Sequence, residues 1–110
     1  MKLFLLTLLA TFSLASTDIL PPSESANELT LIFTDNYECN LHLERAGQDL
    51  VALAKAEEAS NTTALKQAFN NFMNHSNLAI DACYPINEAI TLDIIEVQAN
   101  IAYYYYQNYR

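Results

Sequence analysis

The sequence contains very little glycine and proline, the residues that interrupt regular secondary structure. Gly47 is the only glycine, and the three prolines stand at positions 21, 22 and 85. A β-sandwich needs turn residues about every 8–12 positions, so their scarcity argues against an all-β fold. Long uninterrupted stretches favour helices, and a length of 110 residues predicts a single domain.

Basic residues are also scarce. The chain has five lysines and arginines against thirteen acidic residues, and its formal net charge is −8. Nucleic-acid binding requires cations that neutralise phosphates, so we expect no nucleic-acid partner. Anionic membrane surfaces should repel such a chain as well. The charge does favour solubility.

Residue patterns that support catalysis are missing too. No serine lies in a nucleophile-elbow motif, and no glycine-rich loop is present. The adjacent Glu57 and Glu58 would point in different directions on a helix, which favours a solvated face over an acid–base pair. Glu38 and His42 share a helix face, but a metal site needs three or four ligands. We therefore expect no enzyme activity, no metal and no other cofactor.

The N-terminus has the features of a secretory signal peptide. Lys2 supplies a positive charge, an apolar run extends to Leu14, and small residues surround Ala15. The apolar run is shorter than the roughly 20 residues that span a bilayer. We expect cleavage near Ala15 or Ser16, so residues 1–15 are the signal peptide. The mature protein should be secreted and extracellular, without stable membrane insertion.

Secretion changes how the cysteines and two asparagines are interpreted. In an oxidising compartment the only two cysteines, Cys39 and Cys83, are expected to form a disulfide. Glycosylation sequons begin at Asn61 and Asn74. The first lies in a predicted turn and the second on a polar helix face, so both should be accessible. We therefore expect an acidic, disulfide-bonded glycoprotein.

Apolar residues recur at alternating intervals of three and four, which predicts helices that bury one face. Such stripes run from Leu29 to Leu53, from Leu65 to Cys83 and from Ile90 to Asn108. They predict an all-α fold, a three-helix up-down bundle over residues 24–110. Residues 16–23 before it should form a flexible tail.

Capping residues place the ends of these helices. Ser23 or Ser25 can cap the first helix, and Thr62 can cap the second. Pro85 ends the second helix, because proline disfavours helical geometry in the residue before it. For the third helix, Asn87 can act as the cap, or Pro85 can occupy the first turn.

A tight turn around Asn61 also predicts how the first two helices align. Residues whose numbers sum to about 122 should lie opposite each other, within a few positions. Cys39 then faces Cys83, so the disulfide joins the two helices. A crosslink that closes about 44 residues contributes roughly 4 kcal/mol in the chain-entropy model. We therefore expect reduction to unfold most of the protein.

Residues 24–38 extend beyond this hairpin and carry four apolar side chains, Leu29, Leu31, Ile32 and Phe33. In one alternative the chain breaks near Asp35, and residues 24–33 fold back as a fourth helix. Asp35 and Glu38 would then form a capping box. In the other alternative the helix is continuous and its apolar end docks on a partner or on a second copy.

The C-terminus carries four consecutive tyrosines, Tyr103 to Tyr106, followed by Tyr109. Four successive helical residues cover nearly the whole circumference, so only Tyr104 and Tyr105 should reach the core. The others should face outward and suit protein or sugar surfaces. Alternatively, they cover the end of the hairpin near Leu65 and Glu57.

Two classes of function remain. The leading hypothesis is an extracellular protein that acts by protein–protein interaction or self-assembly. Its candidate surface comprises Leu29, Leu31, Ile32, Phe33, Tyr103, Tyr106 and Tyr109. The alternative is an extracellular carrier of a small apolar ligand, held where small residues leave space between helices: Ala46, Ser76 and Ala79.

Overall fold

A computed structural model describes residues 19–109, and over this range it contains four α-helices and no β-strand. They are α1 (Pro22–Thr30), α2 (Tyr37–Glu58), α3 (Thr62–Cys83) and α4 (Glu88–Tyr109). The all-α prediction is confirmed, and of the two alternatives for the N-terminal apolar segment the chain adopts the fold-back. The predicted signal peptide, residues 1–15, lies outside the described residues.

The four helices form a ring in chain order. α2 and α3 make the predicted antiparallel hairpin, α4 runs back along α3, and α1 packs against both α2 and α4. Within residues 19–109, the backbones of α2 and α4 do not come into direct contact. α1 has 9 residues whereas each other helix has 22. α1 is therefore too short to fill the whole length of the gap between α2 and α4.

The core confirms the register predicted from the turn. Cys39 and Cys83 form the disulfide, with their Cα atoms 4.9 Å apart. Both cysteines are fully buried, as are the large side chains of Leu50 and Phe72. α4, which contains the third apolar stripe, contributes Ile94, Val97 and Ile101 to the same core.

The start of α2 corrects one capping prediction. Asn36 is the N-cap, and its side-chain oxygen accepts a hydrogen bond from the backbone N–H of Cys39 at 2.8 Å. The capping box predicted from Asp35 and Glu38 is therefore wrong. With the cap at Asn36, Glu38 falls at the second helical position, whereas the reciprocal bond of a capping box needs the third.

The start of α1 differs from the prediction as well. The helix begins at Pro22, whose fixed φ suits a first helical position, and neither predicted serine caps it. Ser25 is instead buried, and its hydroxyl accepts a hydrogen bond from Asn100 Nδ2 at 3.2 Å. Asn100 also bonds both backbone groups of Leu20. The tail predicted over residues 16–23 thus overlaps the helix, and its residues 16–18 lie outside the described range.

The other two helices begin with asparagine caps. Asn61 Oδ1 accepts from the N–H of Ala64 at 3.0 Å, so Asn61 rather than the predicted Thr62 caps α3. At the start of α4, Asn87 Oδ1 accepts from the N–H of Ile90 at 3.2 Å. The prediction that Asn87 caps this helix is therefore confirmed.

Candidate functional site

The two ends of the ring differ in chemistry, and the residues predicted for interaction are divided between them. The disulfide end contains Cys39, Cys83 and the loops 31–36 and 84–87. The opposite end, named here the tyrosine end, contains the turn 59–61 and the last turns of α4. α1 packs along the half of the ring next to the disulfide end.

At the disulfide end, the fold-back buries only part of the predicted apolar surface. Leu29 is 3% exposed and belongs to the core, so its prediction as a surface interaction residue is wrong. Ile32 is partly buried against the core. Leu31 and Phe33, however, remain 84% and 76% exposed. Further exposed apolar side chains lie at this end: Tyr37, Tyr84 and Ile86.

Hydrogen bonds hold the backbone that presents Phe33. The N–H of Thr34 donates to Asn40 Oδ1 at 3.0 Å, and Asn40 Nδ2 donates back to the Thr34 carbonyl at 2.7 Å. The N–H of Asn36 donates to Thr34 Oγ1 at 3.0 Å. Asn40 follows Cys39 directly, so this network is anchored beside the disulfide. Phe33 is thus exposed on an ordered loop, which lowers the entropic cost of using it in an interface.

A groove of about 490 Å³ lies between α1 and α2. Apolar side chains from both helices and the loop line it, namely Ala26, Leu29, Ile32, Phe33, Leu43 and Val51. Polar side chains complete the lining, and Glu44 is the one charged residue among them. Gly47 also lines the groove, and apart from its own helix backbone no atom lies within 4 Å of the position that a Cβ would occupy. The groove is therefore open above the only glycine of the chain.

The cavity predicted at the layer of small residues is filled. Ala46, Ser76 and Ala79 are each at most 1% exposed. Ser76 Oγ also accepts a hydrogen bond from Gln98 Nε2 at 2.8 Å, which joins α3 to α4. Small side chains let these helices approach closely, so the layer leaves no room for a ligand. The predicted carrier site at this layer is wrong.

Charge is distributed unevenly between the two halves of the ring. The half next to the disulfide end carries many carboxylates: Glu24, Glu28, Asp35, Glu38, Glu44, Asp81, Glu88, Asp93 and Glu96. Among the described residues of that half, Arg45 is the only lysine or arginine. In the other half, three carboxylates at Asp49, Glu57 and Glu58 face two cations at Lys55 and Lys66. Most of the negative potential therefore surrounds the disulfide end.

At the tyrosine end, side chains of α4 reach across to α2. The hydroxyl of Tyr104 donates to Glu57 Oε2 at 2.5 Å, and Tyr109 donates to the same oxygen. Tyr105 stacks on Phe69 with ring centroids 4.0 Å apart. Of the two alternatives for the outer tyrosines, Tyr109 follows the one in which they cover the end of the hairpin near Glu57. Tyr103 and Tyr106 are exposed as predicted, each at 56%.

The hydroxyls that bond to Glu57 are protonated at neutral pH. Burial, together with the hydrogen bond and negative charge of Glu57, raises the pKa of Tyr104 to about 12. Burial and the same carboxylate also raise the pKa of Tyr109 above its usual value. Both phenols therefore act as donors to one carboxylate, an arrangement that holds α2 and α4 together.

The two histidines have different surroundings. His75 Nδ1 lies 2.5 Å from Asp49 Oδ2 and joins α3 to α2. The Nδ1 of His42 is buried without a hydrogen-bond partner. Over residues 19–109, no three His, Cys, Asp or Glu side chains converge as metal ligands would. None of the helices in this range is long and apolar enough to cross a membrane.

Both predicted glycosylation asparagines are exposed. Asn61 caps α3 through Oδ1, which leaves the Nδ2 atom free to carry a glycan. Asn74 lies on the outer face of α3. Since α3 stands across the ring from α1, neither site lies beside the groove. Their modification stays a prediction.

Neither the groove nor the hydrogen-bond network around Thr34 and Asn40 was predicted from the sequence. Gly47 offered a signal, because an isolated glycine inside a helical pattern is destabilising and often has a packing or functional reason. Asn40 offered none, since its partner depends on how the loop turns. Comparison of the chain with protein-family models, curated proteins and solved structures gave no match.

Proposed function

We propose that this is a secreted, extracellular protein that acts by binding another protein through its disulfide end, without catalysis. The observation that carries this proposal is the exposure of Leu31 and Phe33, at 84% and 76%, in a segment that otherwise folds back into the core. Large apolar side chains on a fixed backbone are typical anchors of protein interfaces.

Secretion is supported by several independent features. The N-terminal residues have the pattern of a signal peptide. The disulfide suits an oxidising compartment. The sequons at Asn61 and Asn74 are exposed, and neither lies on α1 or on the loops of the disulfide end.

The test compares the size of the complex formed by the native chain and by two double variants in the extracellular fluid into which the protein is secreted. Size-exclusion chromatography with light scattering and chemical crosslinking should find the native chain in a complex larger than a monomer. Leu31→Ser with Phe33→Ser should release it as a monomer, whereas Tyr103→Ser with Tyr106→Ser should leave the complex intact. The reverse pattern, or a complex that survives the first pair, would overturn the proposal.

The groove between α1 and α2 favours a second candidate, a carrier of a small apolar ligand. Its volume of about 490 Å³ lies within the usual range for ligand pockets. Native mass spectrometry of protein purified without detergent distinguishes the two functions. A monomer with a copurified lipid-sized mass would favour the carrier, and a bound protein subunit would favour the interaction.

A further inference from the structure

We infer that the α1–α2 groove receives a basic amphipathic helix of the partner protein. This inference rests on the proposed function and adds the site and the chemistry of the bound segment. Three observations carry it: the open space above Gly47, the shape and lining of the groove, and the carboxylates around it.

Gly47 occupies a position where the chain itself does not need a glycine. It lies in the interior of α2, its φ is not positive, and a Cβ there would meet nothing within 4 Å. A helix with glycine in its interior is less stable than one with alanine. By contrast, Ser60 has a φ of 54° at the C-terminal end of α2, where glycine would be favoured. A glycine at 47 becomes useful when another backbone packs closely over it.

The groove has the dimensions of a helix-binding site. Its lining extends along α2 from Asn40 to Val51, a distance of about 16 Å or three helical turns. The floor is apolar, and amide and hydroxyl side chains form the rim, among them Asn27, Thr30 and Gln48. A helix would fill this length with anchors at i, i+3 or i+4, and i+7. Phe33, which lines the groove and is exposed on its ordered loop, would add its ring to this contact.

The charge around the groove selects a basic segment. Glu44 is the one charged residue of the lining, and the half of the ring that contains the groove has nine described carboxylates against one arginine. Three of these carboxylates, Glu28, Asp93 and Glu96, lie between α1 and α4, on the other side of α1. Lysines or arginines on the bound helix would therefore meet Glu44 directly, and the other carboxylates would attract them at longer range and speed association. A second copy of this chain would bring two acidic halves together, so self-association fits the same surface poorly.

The test uses a designed helical peptide of about 18 residues with leucines on one face and lysines on the other. Its affinity is measured by calorimetry for the native protein and for two variants. Gly47→Leu fills the groove and should weaken binding at least about tenfold. Ala52→Leu adds the same side chain at an exposed position of α2 outside the groove and should leave binding unchanged. Thermal melts should show both variants folded.

Further peptides distinguish groove binding from general attraction to an acidic protein. A peptide of the same composition with scrambled order keeps the charge but loses the apolar face, and it should bind at least about tenfold more weakly. Equal affinity of the two peptides, or of the native protein and Gly47→Leu, would overturn the inference. A further contradicting result would be that Gly47→Leu changes the mass of the protein in solution without any peptide. The groove of the native protein would then hold a second copy of the chain.

The carrier alternative has its own outcome. If the neutral dye N-phenyl-1-naphthylamine binds and Gly47→Leu abolishes that binding while the peptide does not bind, the groove takes small molecules and the inference fails. Failure of the inference would not by itself contradict the proposed function. Loss of the natural complex in the double variant Leu31→Ser with Phe33→Ser would still support that function.

Discussion

The two ends of the ring close the same gap by different means. Between α2 and α4 at the disulfide end lies α1, a helix held by the disulfide-anchored loop and by Asn100. At the tyrosine end the gap is covered by side chains, through Tyr104 and Tyr109 on Glu57 and Tyr105 on Phe69. Side chains adapt to the gap, whereas a short helix leaves a groove beside it.

Charge also distinguishes the two ends of the ring. The tyrosine half has cations to offset its carboxylates, and its tyrosine hydroxyls satisfy Glu57 within the chain. The disulfide half combines unmatched carboxylates with exposed apolar side chains at Leu31 and Phe33. These differences are the reason why we propose the disulfide end, and not the tyrosine end, as the interface.

The largest expected effect comes from breaking the disulfide. Reduction removes a crosslink over 44 residues, which corresponds to about 4 kcal/mol of the free energy of unfolding. That loss is comparable to the net stability of a small domain, so most of the protein should unfold. Circular dichroism melts with and without reductant measure it, and an unchanged midpoint would show that the disulfide end does not depend on the crosslink.

Tyr105→Ala tests whether the tyrosine end is held by its side chains. Loss of the ring that stacks on Phe69 should lower the free energy of unfolding by about 2 kcal/mol, less than for a fully buried aromatic residue. Tyr103→Ala is the matched control at an exposed position and should change it by less than about 0.5 kcal/mol. Urea unfolding compares them, and equal losses would contradict the assignment of Tyr105 to the covered end.

Asn100→Ala tests how α1 is held at its first turn. The variant leaves Leu20 and Ser25 without their partner and should lower the free energy of unfolding by roughly 1–2 kcal/mol. Amide hydrogen exchange should accelerate in α1 before the rest of the bundle. Asn71→Ala, on the exposed face of α3, serves as the control. Uniform acceleration across all four helices would show that α1 does not open separately.

Two substitutions test how glycine affects stability at Gly47, where the chain has it, and at Ser60, where the backbone would favour it. Gly47→Ala should raise the free energy of unfolding by about 1 kcal/mol, because helix propensity improves and nothing clashes. Ser60→Gly should also raise it by about 1 kcal/mol, because glycine accepts the left-handed conformation. Thermal melts measure both variants. A destabilised Gly47→Ala would mean that the glycine serves the fold itself.

The smallest expected effect is the pH dependence at the tyrosine end. In the unfolded chain Tyr104 ionises near pH 10, whereas in the folded protein its pKa is about 12. Between these values the unfolded state binds fewer protons, so stability that is complete below pH 10 falls as the pH rises.

Tyrosinate absorbance measured along with unfolding checks this pH dependence. Glu57→Gln removes the negative charge and should bring the midpoint of Tyr104 closer to 10. An alkaline transition that the variant leaves unchanged would contradict the role of Glu57.

Much of the fold could be predicted because its determinants are local. Spacing of apolar residues defined the three long helices, and the turn near Asn61 placed Cys39 beside Cys83. The break before α2 was harder to predict, because the three-and-four spacing of the apolar stripe continues through Asn36. In the structure that residue lies outside the helix and caps it. Periodicity alone does not separate a continuous helix from one that turns back.

The candidate site was predictable only in part. Exposure of Tyr103 and Tyr106 was predicted from their helical positions. Exposure of Leu31 and Phe33 was expected only for a continuous helix, whereas both are exposed although the segment folds back. The groove did not, because it depends on the angle at which α1 packs on α2. The contact of Tyr109 with Glu57, which is 52 residues away in the sequence, was predicted only as one of two alternatives. Such contacts arise from tertiary packing, which local spacing does not encode.

Hydroxyl-radical footprinting tests the central claim that the disulfide end is the binding surface. The oxidation rates of Phe33 and Tyr106, which are 76% and 56% exposed, are compared between the purified protein and the crosslinked native complex. We predict that Phe33 becomes protected and that Tyr106 keeps its rate. Protection of Tyr106 with an unchanged rate at Phe33 would contradict this claim, because the partner would then bind the tyrosine end.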